Sequence, residues 1–130
     1  MTDREHRKQI KRIRRLIRRW TPALGLGWWR IEHRYGRESI RPVSNGIATV
    51  AETSTEWAYR VAVVTWSMPE VALMPDAELE EAFLHEMMHV FVAQMCEGAD
   101  HDVQAVHEEA VCTMLARAFK WTWRAASAGR

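Results

Sequence analysis

Residues 76–95 read DAELEEAFLHEMMHVFVAQM. Asp76 stands where it can cap a helix, and Glu78, Glu80 and Glu81 suit the positive end of a helix dipole. Leu79, Phe83, Val90 and Phe91, with Ala82 and Met87, continue an apolar face through to Met95. Inside this helix lies an H-E-x-x-H, His85 to His89. Helical residues four apart share a face, with Cβ atoms about 5–6 Å apart. Both imidazoles can therefore reach one ion, and Glu86 projects beside them as a carboxylate base. A third protein ligand would complete the set and leave one position for water, the arrangement of catalytic zinc sites.

That third ligand is sought downstream, in VQAVHEEAVCTMLARAF, residues 103–119. Glu109 falls twenty residues after His89 and Glu108 nineteen. A second helix antiparallel to the first could deliver either carboxylate, and spacing alone leaves both open, with Glu109 preferred. His101, Asp102 and His107 remain candidates near the start of that helix. A metzincin would need Gly at position 92 and His at position 95, where this chain has Val92 and Met95, so that class is excluded.

Working outward, WWRIEHRY (residues 28–35) alternates Trp29, Ile31, His33 and Tyr35 with charged residues, the period of a half-buried strand. Residues 36–46 carry Gly36, Pro42 and Asn45-Gly46 and read as a loop ending in a turn. Two β-branched and aromatic runs, 47–53 and 57–66, predict an antiparallel hairpin joined by Ser54–Glu56. Met68-Pro69 and Met74-Pro75 break the next stretch. At the N-terminus, Thr2 and Glu5 form a capping-box pattern. An amphipathic helix over residues 1–20 follows, with Ile10, Ile13, Ile17 and Trp20 on one face and Leu16 beside them, and Thr21-Pro22 as its stop. Gly98 is expected to end the H-E-x-x-H helix, and Asp100 or Asp102 to cap a last one. That helix would bury Val103, Val106, Ala110, Met114 and Ala118, and residues 121–130 would be a fraying tail. The chain thus predicts one α+β domain over residues 1–130, ordered α, β, β, β, α, α.

With these elements placed, HEMMH followed by HEEAVCTMLARAF resembles the gluzincin arrangement, in which a Glu on the next helix joins the two histidines. The interval is similar to that of the thermolysin-like N-E-x-x-S-D segment, except that Glu108, Cys112 and Thr113 replace its Asn, Ser and Asp. Residues 24–119 also resemble the small zincin-like metallopeptidases of phages and prophages and, at the motif level, ImmA/IrrE-type and SprT-like proteases. The resemblance implies a minimal zincin-like fold, with a small, mostly antiparallel three-stranded sheet packed on the H-E-x-x-H helix, zinc held by His85, His89 and Glu109, and Glu86 as general base. It further implies an extended peptide or protein substrate paired to a sheet edge, and a setting in the host cytoplasm. Tyr59, His101 and His107 are candidate oxyanion donors.

The remaining features bound the function. Apolar residues make up 48% of the 130, enough for a core, and no run of eighteen apolar residues offers a membrane span. Cys96 and Cys112 are too few for a disulfide framework, and no signal-peptide pattern is present, so a reduced, cytosolic setting is expected. The methionines read as core fillers, and Cys112 lies within helical reach of the glutamates. Residues 1–41 hold thirteen of the eighteen Lys and Arg but four of the seventeen acids, a charge of +9 against −8 in the rest. Such a basic arm either meets the acidic half of its own chain or binds nucleic acid. The alternative function is therefore non-enzymatic: a zinc-stabilised phage component or a nucleic-acid-binding module on a zincin scaffold.

Overall fold

The computed structural model describes residues 1–42, 48–96 and 101–129. Helix α1 (Asp3–Ala23) opens on the expected capping box, with Thr2 and Glu5 exchanging hydrogen bonds. It does not stop at Thr21. Pro22 lies in the last turn, where the missing N–H removes only one helical bond, and Leu24 N–H closes the end on the Trp20 carbonyl. Gly25, at φ +70°, then reverses the chain in the left-handed region. The buried stripe is Gln9, Ile13, Leu16 and Trp20, with Ile10 and Ile17 on its flank.

Strand β1 (Arg30–Gly36) has the predicted alternation, with Ile31, His33 and Tyr35 turned inward and Arg30, Glu32 and Arg34 exposed. Strand β2 (Ile40–Pro42), within the stretch expected to be loop, pairs with β3 (Ala48–Thr49), inside the expected 47–53 strand, as a separate antiparallel ribbon; the expected Asn45-Gly46 turn lies outside the described residues. Strand β4 (Ala51–Glu56) takes in the three residues expected to connect the hairpin. The connection is instead a 3-10 turn, Trp57–Tyr59, closed by Arg60 at φ 53°. Strand β5 (Val61–Ser67) runs antiparallel to β4, as expected, but parallel to β1.

The main sheet is therefore mixed, in the order β1-β5-β4, and not mostly antiparallel. The cause is topological: β5 is central, β4 enters against it, and β5 then retraces the direction of β1. Period-two patterning is the same for either direction, so it carries no information on this point.

After β5, Met68-Pro69 begins a short helix, α2 (Met68–Leu73), with proline in the first turn, where its missing N–H costs nothing. Helix α3 (Asp76–Cys96) follows. Asp76 is its first helical residue rather than its cap, and its carboxylate is taken up by Arg12 of α1 at 2.7 Å. Arg12 also donates to the carbonyls of Val71 and Met74, pinning α1 to the α2–α3 junction.

Helix α3 is the centre of the core. Leu79, Phe83, Leu84, Met87, Met88 and Val90 are all buried, as a helix packed on several sides requires. Helix α4 (His101–Ala128) covers it, tied by Arg117 to Glu81 at 2.9 Å and by Lys120 to the Ala77 carbonyl. Its buried face is Cys112 and Ala116, flanked by Leu115 and Phe119. The expected face is not the one used: Val106 and Met114 are exposed, as are Ala110 and Ala118. Several stripes of this alanine-rich helix have helical spacing, and packing selects the one beside Thr113. The helix also continues through the predicted tail, and Trp123 packs on Trp20 with ring centroids 5.0 Å apart. No helix is long and apolar enough to cross a membrane among the described residues.

Candidate metal centre

The H-E-x-x-H spacing sends its three polar side chains to two neighbours. His85 and His89 lie on the face of α3 that meets α4, and Glu86 turns toward β4. The rings of His85 and His89 are 4.9 Å apart, with their Nε2 atoms at 3.2 Å. The Glu109 carboxylate reaches both, Oε2 at 2.9 Å from His85 Nε2 and Oε1 at 3.1 Å from His89 Nε2. These separations suit one small cation. Ligands about 2.0–2.1 Å from a tetrahedral zinc stand roughly 3.3 Å from one another.

The outward-facing nitrogens bear on the tautomers. His89 Nδ1 lies 2.7 Å from Glu108 Oε1, an acceptor, so this nitrogen carries the proton when the carboxylate is ionised. His85 Nδ1 lies 3.1 Å from the Thr113 hydroxyl, which can accept from it or donate to it. In the tautomer with Thr113 accepting, both Nε2 atoms have lone pairs aimed at each other and at a carboxylate. Three electron-pair donors within about 3 Å and no proton among them repel unless a cation sits between them, and that donor set is what a metal site requires.

The two glutamates left open by spacing thus hold different places. Glu109 faces the space between the histidines, while Glu108 contacts the back of His89. Cys112 Sγ lies 3.5 Å from the same His89 Nδ1 and is buried, so it walls the ring on the side away from the Nε2 pair. His89, Glu108 and Cys112 form a second group close enough to hold an ion, but it would use only one histidine of the motif and break the Glu108 contact that orients it. His85, His89 and Glu109 form the group that uses both.

Glu86 is 8% exposed, and the Thr53 hydroxyl of β4 donates a hydrogen bond to its carboxylate. Burial pushes the Glu86 carboxyl above the usual carboxylate range, opposed by the Thr53 hydrogen bond and the two histidines. Thr53 was not distinguished by the sequence, because a threonine on a strand has no signal beyond β propensity. Its partner 33 residues away appears only once β4 is laid along α3.

A cleft of about 700 Å3 opens beside Glu86, His89 and Glu109, floored by residues 49–53 of the β3–β4 segment. Strand β4 is an edge of the main sheet, so this cleft runs along an edge strand. Among the candidate oxyanion donors, Tyr59 is 75% exposed on the 3-10 turn, and neither it nor the exposed His107 hydrogen-bonds to the cluster. The side chains of His101 and Asp102 lie outside the described residues. Comparison with family models, with curated proteins and with solved structures finds no match for the chain, so its functional reading stands on the convergence of His85, His89, Glu109 and Glu86.

Proposed function

We propose that the protein is a zinc-dependent peptidase on a minimal zincin-like scaffold. The observation that carries this reading is the meeting of two imidazole Nε2 atoms and the Glu109 carboxylate within 2.9–3.2 Å, with both Nδ1 atoms turned to partners outside. Two imidazole nitrogens and a carboxylate this close together would suit zinc. Bound there, zinc supplies Lewis acidity that lowers the pKa of a water to about 7 and polarises a carbonyl.

The chain's own residues do the rest. Glu86 receives a proton from the water and passes it to the leaving amine, a general-base role suited to a carboxyl whose pKa burial raises. Thr53 holds that carboxylate against the edge strand, keeping one oxygen oriented while the other is free to take the proton. Glu108 and Thr113 orient the two imidazole rings so that their Nε2 atoms would be available to the ion. The cleft along β4 suits an extended peptide, which would add to the sheet edge through main-chain hydrogen bonds and need little side-chain preference.

A purely structural metal site has no use for Glu86. Keeping a buried carboxylate with a raised pKa beside it lowers stability, and that favours an enzyme over the non-enzymatic scaffold. The test is the Glu86→Gln variant assayed on an unfolded protein substrate. Zinc content should be retained while cleavage falls by about 100-fold or more. Cleavage equal to wild type would exclude Glu86 as the base, and no cleavage by the zinc-loaded wild type would exclude the peptidase.

A further inference from the structure

Helix α1 presents a second chemistry that the metal centre does not use. We infer that its outer face binds the phosphate backbone of nucleic acid without regard to base sequence. Arg4, Arg7, Lys8, Lys11, Arg14, Arg15 and Arg18 are all exposed. At about 100° per residue they fall within an arc of roughly 120°, opposite buried Ile13 and Trp20. Among the described residues none of the seven has a carboxylate within ion-pair distance, and the basic segment meets the acidic half through Arg12–Asp76 and Arg19–Glu80 alone; Asp3 and Glu5 of the same helix act on Arg7 and Lys8 from further away. The self-neutralising reading of the charge split therefore accounts for two arginines and leaves the outer face unmatched.

The face has a high charge density, seven cations over roughly 21 Å of helix axis, which suits a polyanion whose strands each carry one phosphate per 3.4 Å of duplex axis. A trough of about 910 Å3 runs between this face and Met74–Asp76, and the one carboxylate lining it, Asp76, is neutralised by Arg12. The acidic half of the chain, which brings the total to +1, is screened beyond about 10 Å at moderate salt, so a ligand on α1 meets the local field. An anionic membrane fits less well. An interfacial helix needs its apolar face free, whereas Ile13, Leu16 and Trp20 are in the core and no large apolar residue on α1 is exposed.

This inference is independent of the peptidase reading. It is tested on the full chain by fluorescence anisotropy with a labelled 20-base-pair duplex at 50 and 200 mM salt. Three or so phosphate contacts should weaken binding by about 50-fold between the two. Lys11→Glu/Arg14→Glu/Arg18→Glu should lose at least about 10-fold at the lower salt and flatten the salt dependence. A second variant, Arg4→Glu/Arg7→Glu/Lys8→Glu, should do the same, with thermal melts showing both folded. Deletion of α1 is unsuitable, because Ile13 and Trp20 are part of the core. Absence of duplex binding at 50 mM salt, binding unchanged in both folded variants, or tighter binding to phosphatidylserine vesicles than to the duplex would each overturn the inference.

Discussion

His33 and His89 are both partly buried imidazoles on regular elements, and what each ring meets sets them apart. His33 lies in an aromatic stack with Trp66 and Phe83, ring centroids 6.4 and 6.1 Å away. The Trp66 indole donates to its Nδ1 at 3.1 Å. Because that indole can only donate, His33 is a neutral acceptor, with no carboxylate hydrogen-bonded to it among the described residues and its pKa pushed down to about 4 by burial. His89 has the reverse arrangement: a carboxylate accepts at Nδ1, and Nε2 faces a second imidazole and a second carboxylate. A histidine becomes a ligand when an acceptor behind it holds the proton on the far nitrogen, and burial alone does not do this.

The largest effect expected from this contrast is at the ligand itself. His89→Ala should weaken zinc binding by at least about 100-fold, taking one ligand's share of the site's affinity, whereas His33→Phe should leave the affinity unchanged. Calorimetric titration with zinc reads both, and equal effects would erase the distinction. Glu108→Ala removes the acceptor behind His89 and should cost about 10–100-fold in zinc affinity without touching the ion. A loss as large as that of His89→Ala would instead make Glu108 a direct ligand.

The burial of His33 also makes stability depend on pH. Folded His33 titrates near 4 against an ordinary value of 6.5, so between these values the unfolded chain takes up a proton that the folded chain refuses. Its contribution to stability is complete above pH 6.5 and is lost as pH falls toward 4. Urea unfolding of the chelator-treated protein at pH 7.5 and 4.5 should show a drop that His33→Phe makes smaller by about 2 kcal/mol. An identical drop in the variant would place the acid sensitivity elsewhere. The smallest effect is predicted for Thr113→Val. The hydroxyl behind His85 is a neutral acceptor at 3.1 Å, and its loss should cost a few-fold in zinc affinity, about 1 kcal/mol or less.

The sequence made this centre readable because its signals are local. His85, Glu86 and His89 are fixed relative to one another by 3.6-residue periodicity, and Glu109 needs only one further assumption, an antiparallel second helix. What stayed hidden depends on pairings across the fold. The parallel partner of β1 was invisible because alternation has no direction. The buried face of α4 is not fixed by spacing, because Ala110 and Met114 are four residues apart just as Cys112 and Ala116 are, and only contact with α3 separates the two stripes. Thr53 and Glu108 carry roles set by what lies opposite them, Glu86 and His89, and a residue type alone does not disclose its partner. Trp123 appeared to be tail for the same reason, since its contact is Trp20, about a hundred residues earlier.

The central claim is that three inward-facing donors with no proton among them await a cation. Stoichiometric metal analysis of the protein after zinc loading and desalting, beside the His85→Ala/His89→Ala double variant, tests it most directly. The account predicts one zinc per wild-type chain and none retained by the folded double variant. A wild-type protein that retains no zinc, or a double variant that retains as much, would contradict it.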